Sequence, residues 1–307
     1  MVGGSYASRR KKGSVEEGSR IYTAIIYLIV AFMAFIAIYP MYYILVLSLS
    51  EPLEAITMKV YWFPKGFYFG TYTTLVSDSR LWNAYKNTFY YLIANMALML
   101  VTSVLGAYTL TYKKLIGRKF VNMFLLIPMY ISGGLIPSFI LMAKLGLYKN
   151  PWVMILPSCF SIWYIILVKS YFNTIPESLR EAAFIDGANN YQILWNVFIP
   201  AATPILAVIM VFTGVDVWNR WFTAAVYLPD EKWQPLQLYL RRMLITMETD
   251  IYKDMGPDVA LEALERQLSA LQMRYAMIIF TTLPIVFIYP FFQRYFIKGI
   301  MLGSLKE

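Results

Sequence analysis

The sequence lacks most of the residues on which active-site and metal chemistry depend. It contains no histidine and one cysteine, Cys159. A disulfide within the chain and a metal site built from histidine and cysteine are therefore excluded. No GxxxxGK[ST] sequence occurs, so the nucleotide-binding P-loop is absent. Because neither an acid–base pair nor an activated nucleophile is visible at one depth, we predict no catalytic residues, no metal site and no enzymatic activity.

Charge is also scarce, at 15% of residues against about a quarter in soluble domains, whereas 59% of residues are hydrophobic. About 20 apolar residues in a helix cross a hydrocarbon core of roughly 30 Å. Six windows of this kind carry little or no charge, at 21–50, 87–112, 120–143, 150–168, 199–228 and 275–293. Unbroken apolar runs are unlike the alternating strands of a membrane β-barrel. We predict an all-α integral membrane protein with six transmembrane helices.

The basic residues predict the orientation of these helices. They cluster before the first window and between the second and third windows, as Arg9, Arg10, Lys11, Lys12 and Arg20, then Lys113, Lys114, Arg118 and Lys119. Such clusters favour the cytoplasmic side, so we predict that both ends of the chain are cytoplasmic. The predicted regions are a cytoplasmic segment 1–20, a first helix 21–50, a five-helix domain 85–293 and a cytoplasmic tail 294–307. We attribute the net charge of +9 to orientation and expect no nucleic-acid partner.

A charged, turn-forming segment at 173–200 interrupts the apolar windows and falls on the predicted cytoplasmic side. The letters TIPE predict a capping box. In it, the Thr174 side chain accepts from a backbone N–H of the first helical turn, and the Glu177 side chain accepts from the backbone N–H of Thr174. Gly187 is expected to end that helix in a left-handed conformation, and a second short helix then leads to Pro200. We predict two short helices joined by a sharp turn.

One face of the first short helix carries Leu179, Ala182, Ala183 and Asp186, at helical spacing. Paired alanines give a shallow surface that permits close approach. This surface fits a cleft on another protein, and the alternative is an ordinary loop helix that lies on the membrane. The pattern alone leaves both interpretations open.

The segment EAAFIDGANNYQILWNVFIP resembles the EAA motif of the membrane subunits of ATP-binding-cassette importers. The matching positions are Glu181, Ala182, Ala183, Asp186, Gly187, Ala188, Ile199 and Pro200. The stretches 133–157, 216–222 and 289–307 are similar to carbohydrate-importer permeases, specifically the oligosaccharide and polysaccharide subgroup. The resemblance extends over nearly the whole chain from residue 21 onward.

The resemblance implies a type I importer permease in the bacterial inner or plasma membrane, surrounded by lipid. It implies that the chain forms half of a sugar path, with an oligosaccharide as the expected cargo. Expected partners are a homologous second permease, two cytoplasmic ATPase subunits that bind ATP and Mg, and an extracytoplasmic solute-binding protein. The motif helix would dock on an ATPase through Arg180, Glu181, Ala182, Ala183, Asp186 and Gly187. The alternatives are a permease of this fold for a non-sugar solute and, less favoured, a secondary carrier.

Three other features leave more than one interpretation. The residues Asp216, Asn219, Arg220 and Thr223 recur at helical spacing and predict a polar stripe. The stripe either lines the substrate path or contains a structural ion pair between Asp216 and Arg220.

The letters GGLIP at 133–137 predict a break in the third helix, which lines a cavity or allows close packing. In the predicted extracytoplasmic loop 229–272, the stretch 257–272 predicts an amphipathic helix, for which packing onto the permease is favoured over contact with a binding protein.

Overall fold

A computed structural model describes residues 16–57, 59–113, 115–253, 268–288 and 290 of the chain. The regular elements within these ranges are helical, with no strand among them, which confirms the predicted all-α class. The chain divides into two compact units, residues 1–69 and 70–307. The terminal segments 1–15 and 291–307 lie outside the described residues, so the predicted orientation of both ends stays a prediction.

The first unit contains the long helix α1 (Glu16–Ser48) and the short helix α2 (Pro52–Ile56). The stretch Tyr22–Ser48 has a mean hydropathy of 2.4, and its most apolar part is not buried within the protein. A helix that is apolar all round and exposed suits a lipid environment. The aromatic segment after α2 folds back on this helix, because the ring of Trp62 lies 5.4 Å from that of Tyr39.

The second unit is organised around a central helix, α4, which is long and apolar enough to cross a membrane. The helices that pack in this unit are α3 (Gly70–Ser77), α4 (Ser79–Thr111), α5 (Arg118–Tyr130), α6 (Leu135–Lys144), α7 (Ile162–Phe172), α8 (Glu177–Ile185), α9 (Asn190–Ile193), α10 (Ile199–Ala201), α11 (Thr203–Trp218), α12 (Trp221–Tyr227), α13 (Leu236–Lys253) and α14 (Leu268–Ile288). Helices α7, α11 and α13 pack directly on α4. The approach of α7 is close, since a Cβ atom at Gly106 would lie 3.1 Å from Ile165.

The N-terminus of α4 is fixed by Asp78, whose carboxylate accepts the backbone N–H of Arg80. The hydroxyl of Tyr239, on α13, donates to the same carboxylate at 2.7 Å. The hydrogen bond from the Arg80 side chain lowers the pKa of Asp78 to about 2. The carboxylate therefore stays charged at physiological pH and joins α13 to the start of α4.

Three of the six predicted spans are bent or broken. Helices α5 and α6 meet at 115°, the residues Pro151–Ser158 meet α7 at 41°, and Asn190–Ala201 meets α11 at 77°. The described chain thus has three straight candidate spans, or up to six if each bent pair forms one span. The break between α5 and α6 confirms the prediction from GGLIP, and Gly134 there has φ of 81°.

The predicted extracytoplasmic loop 229–272 is partly helical. It contains α13, an amphipathic helix that begins at Leu236 and was not predicted. The described part of helix α14 starts at Leu268, so this helix extends before the predicted start at 275. Most of the predicted amphipathic helix at 257–272 lies outside the described residues.

Candidate functional site

The helix of the EAA-like segment, α8, begins differently from its prediction. Its N-cap is Pro176, and no side chain caps its first turn. The hydroxyl of Thr174 donates to the carbonyl of Tyr171 at 2.7 Å, and the carboxylate of Glu177 pairs with Lys113. The predicted capping box is therefore wrong, because the helix begins at Glu177 and leaves Thr174 too far before its first turn.

The end of α8 agrees with its prediction. Gly187 has φ of 82°, its N–H donates to the carbonyl of Phe184 at 3.1 Å, and the N–H of Ala188 donates to Ala183 at 3.0 Å. These two bonds form a Schellman motif, which requires a left-handed residue. A Cβ atom at Gly187 would meet no atom within 4 Å. The need for glycine here is therefore conformational and not steric.

The second helical stretch follows at once. A capping box does occur here, because Asn189 and Gln192 exchange side-chain to backbone hydrogen bonds of 2.8 and 2.9 Å. Helix α9 continues through a π-helical turn at Leu194–Phe198 into α10. Phe198 of this turn is buried against Phe172 of α7, with ring centroids 5.1 Å apart. The segment after Gly187 is thus anchored in the core.

The two alanines of α8 lie in different environments. Ala183 packs against the hydrophobic core, whereas Glu181, Ala182 and Asp186 are exposed. Ile185 is 84% exposed on the outer side of the same helix. The predicted alanine face is therefore divided between the core and the surface, and the exposed half is the part that another protein can reach.

Arg180 points into the protein and not toward the surface. Its guanidinium carbon lies 5.2 Å from the ring of Tyr108, 5.0 Å from Tyr112 and 5.8 Å from Phe198. We call Arg180 and the three rings around it, those of Tyr108, Tyr112 and Phe198, the aromatic cage. The Nη2 atom of Arg180 and the Tyr108 hydroxyl are buried and have no hydrogen-bond partner in the described part of the chain. Cation–π attraction from three rings stabilises the guanidinium, whose buried Nη2 atom has no hydrogen bond within the described residues.

A second link between α8 and the end of α4 lies at the surface. The Lys113 ammonium pairs with the Glu177 carboxylate, and these side chains are 70% and 52% exposed. The hydrogen bond from Lys113 lowers the pKa of Glu177 below its ordinary value. Exposed pairs of this kind contribute little to stability, so the aromatic cage is the stronger of the two links.

The predicted polar stripe does not lie on one helix. Helix α11 ends at Trp218, and Thr223 belongs to α12. The Asn219 side chain donates to the carbonyl of Val215 and lies 3.5 Å from Gln237 of α13. Asp216 and Arg220 form an ion pair, as the second interpretation of the stripe predicts. The structure therefore brings two of the four predicted residues together and separates the other two from them.

Asp216 and Arg220 line a polar cavity of about 330 Å³. The other polar residues of its lining are Ser158, Ser161, Tyr164 and Thr213, and the exposed aromatic side chains are Phe160 and Trp163. We call this space the polar cavity. Sequence reasoning missed the residues from 158 to 164, although the letters SCFSIWY place polar and aromatic residues together inside an apolar window. Trp218, by contrast, is buried in the core.

A hydrogen-bond network fixes Arg220 at the wall of the polar cavity. Its Nη1 atom lies 2.5 Å from the Ser158 hydroxyl, 3.2 Å from the Met154 carbonyl and 3.5 Å from the Asn95 carbonyl oxygen. Asn95 is fully buried on α4 and donates to the carbonyls of Tyr91 and Met154. The network ties α4, the turns before α7 and the end of α11 together. In the ranges that the structure describes, no group of histidine, cysteine, aspartate and glutamate could hold a metal ion.

Comparisons with known proteins agree with this architecture. A family model described as binding-protein-dependent transport system inner membrane component matches residues 1–301. The polygalacturonan/rhamnogalacturonan transport system permease protein YtcP of Bacillus subtilis is 30% identical over 94% of this chain and 99% of that protein. The arabinooligosaccharides transport system permease protein AraQ of Halalkalibacterium halodurans is 27% identical over 90% of this chain and 94% of that protein.

A solved structure gives the same result for the fold. The crystal structure of a bacterial ABC transporter involved in the import of the acidic polysaccharide alginate contains a chain that is 30% identical to this one, with a TM-score of 0.81. The match covers 93% of this chain and all of that chain. The full-length family match, the shared fold and the EAA-like segment agree, and the chain belongs to the binding-protein-dependent transport system inner membrane components, the permease subunits of ABC importers.

Proposed function

We propose that this permease forms half of the path by which an ATP-driven importer carries an oligosaccharide into the cell. The relatives named above are permeases for polygalacturonan, rhamnogalacturonan and arabinooligosaccharides, and the solved relative imports alginate. The observation that carries the proposal is the segment from α8 to α10, which exposes Glu181, Ala182 and Ile185 yet is anchored in the core through Arg180 and Phe198. This construction suits the transfer of force from a docked partner to the bundle.

The proposed partners follow from the same segment and from the sequence. Because the chain has no P-loop, ATP and Mg bind on two separate cytoplasmic ATPase subunits, one of which contacts the exposed side of α8. A homologous permease completes the path through the membrane. An extracytoplasmic solute-binding protein delivers the sugar, which agrees with the description of the family.

The direct test is uptake by the reconstituted complex. The permease, its second permease, the ATPases and the binding protein are placed in proteoliposomes, and entry of radiolabelled oligosaccharides is measured with and without ATP inside. We expect uptake only with ATP. Uptake that follows an ion gradient without ATP would indicate a secondary carrier. ATP-driven uptake of non-sugar solutes alone would indicate a permease with a different cargo.

The position of the docking segment can be tested by labelling. We expect a cysteine at Ser178, exposed on α8, to react with an impermeant maleimide only after the membrane is opened. A cysteine at Asp230, exposed after α12, should react in intact spheroplasts. Both variants are made with Cys159→Ser, which removes the native thiol. The reverse pattern would contradict the cytoplasmic position of α8 and the ATPase contact that depends on it.

The polar cavity is the proposed place where this chain contacts sugar. The double variant Asp216→Asn with Arg220→Gln keeps two hydrogen-bonding side chains but removes both charges from the cavity wall. We expect the complex to assemble and its uptake per assembled complex to fall at least several-fold. If the double variant transports at the normal rate, the pair serves only to hold α11 against its neighbours. Gln237→Ala, which changes a partner of Asn219 outside the cavity, serves as a control with expected normal uptake.

A further inference from the structure

The two charges of the polar cavity are not equally accessible. The Arg220 side chain is 15% exposed, whereas the Asp216 side chain is 64% exposed. The ion pair therefore presents its carboxylate end to the cavity and its guanidinium end to the protein. A ligand that enters this space meets a negative charge first, although the pair as a whole is neutral.

Arg220 is held in this arrangement by bonds that it cannot leave at low cost. Besides Asp216, its guanidinium bonds the Ser158 hydroxyl and the Met154 carbonyl and approaches the carbonyl oxygen of Asn95. Moving it into the cavity would break these bonds and leave the Ser158 hydroxyl oxygen without its donor among the described residues, which is unfavourable. Asp216, by contrast, receives a hydrogen bond from Arg220 alone among the described residues, so its second carboxylate oxygen can accept bonds from a ligand.

The remaining lining fits a sugar ring. Phe160 and Trp163 line the cavity and are 49% and 59% exposed, so part of each ring is available to the apolar C–H surface of a pyranose. A carboxylate accepts charge-assisted hydrogen bonds from neighbouring sugar hydroxyls. The volume of about 330 Å³ lies at the lower end of the range for small-molecule sites. One sugar unit at a time is the occupant that this combination suits.

We propose that the polar cavity is a charge-selective subsite that accepts neutral sugar units and disfavours uronic acids. Asp216 is its specificity-determining residue. A uronate would bring its carboxylate toward the accessible carboxylate of Asp216, while the compensating guanidinium is fixed behind it. The proposal rests on the proposed sugar-import function. On this proposal the preferred cargo differs from those of two relatives, because polygalacturonan and alginate are both acidic polysaccharides.

The sign of the potential in the cavity can be measured without any sugar. A cysteine replaces Ser161 in a Cys159→Ser background, and the purified complex reacts with cationic and anionic methanethiosulfonate reagents. The ratio of the cationic to the anionic reaction rate is compared with the same ratio for a free thiol in solution. We expect this ratio to be several-fold higher at residue 161, and we expect Asp216→Asn to remove the difference. A cysteine at Ser178, on the distant helix α8, controls for general effects and should show no change with Asp216→Asn. A preference for the anionic reagent at residue 161 would overturn the proposal.

Selectivity is then measured by uptake of two probes of equal length, a galactose trisaccharide and a galacturonate trisaccharide, with the same binding protein throughout. We expect the native complex to prefer the neutral trisaccharide, and Asp216→Asn to reduce that preference several-fold. Uptake of both sugars with an unchanged ratio in Asp216→Asn would refute the selectivity. If no sugar enters under any condition, the proposed function fails, whereas the reagent preference still decides whether the cavity is negative.

Discussion

Replacing Gly187 by valine is expected to abolish most ATP-driven uptake while the complex still assembles and still hydrolyses ATP. Gly187 has φ of 82° and provides the N–H for one bond of the turn that ends α8. A side chain in the left-handed region costs about 1–2 kcal/mol, and a β-branched one is especially unfavourable there. Because a Cβ atom at this position would meet nothing within 4 Å, the effect is due to backbone conformation and not to a clash.

Two matched controls separate a role in coupling from a loss of stability. Gly187→Asn should retain most uptake, because asparagine adopts the left-handed conformation more readily than other residues with a side chain. Gly146→Val introduces the same backbone strain after α6, at φ of 72° and again in open space. It should lower thermal stability without changing the number of sugars imported per ATP. Normal uptake by Gly187→Val, or equal uncoupling by Gly146→Val, would contradict the role of this turn.

The turn at Gly187 was predictable because its determinants are local. A glycine after a short amphipathic stretch is a common signal for a helix end, and the structure has the two expected bonds. The start of the same helix was not predicted correctly. Helix α8 begins after Pro176, so the Thr174 hydroxyl bonds to the preceding turn instead. A short sequence can therefore match the residue pattern of a capping box without forming its hydrogen bonds.

The polar cavity was predictable only in part, because its geometry depends on contacts distant in sequence. Nothing in the letters DVWNRWF requires a helix to end at Trp218, since they contain neither proline nor glycine. The break turns Arg220 toward Met154 and Ser158, which belong to a different predicted span. The position of Asn95 on α4 completes the network. Periodicity along one helix contains no information about such partners.

Helix α13 was missed for a different reason. Its charged residues, Arg241 and Arg242 among them, excluded it from a search for apolar windows, although it lies against α4. The guanidinium of Arg241 lies 3.6 Å from the ring centre of Trp221, so part of its charged surface is used in packing. Apolar residues at helical spacing, considered without the condition that charge be low, predict α13.

Removal of the Arg180 side chain is expected to uncouple hydrolysis from uptake more strongly than removal of Lys113. Both residues connect α8 to the end of α4, but Arg180 lies among three rings, whereas Lys113 forms an exposed ion pair. A cation–π contact contributes about 0.5–2 kcal/mol according to its exposure, and an exposed ion pair contributes roughly 0–1 kcal/mol. We therefore expect Arg180→Ala to lower the number of sugars imported per ATP several-fold and Lys113→Ala to change it little.

The conservative variant Arg180→Lys shows whether geometry or charge is responsible. Lysine keeps the charge but lacks the planar group that can contact Tyr108, Tyr112 and Phe198 together, so we expect only partial recovery. Uptake and ATPase rates are measured on the same proteoliposomes and normalised to assembled complex. If Arg180 instead contacted the ATPase at the surface, Arg180→Ala would weaken ATPase binding in a pull-down, and Tyr108→Leu would leave coupling unchanged. If the aromatic cage transmits the motion of α8, Tyr108→Leu should uncouple the complex as Arg180→Ala does, with normal ATPase binding in both.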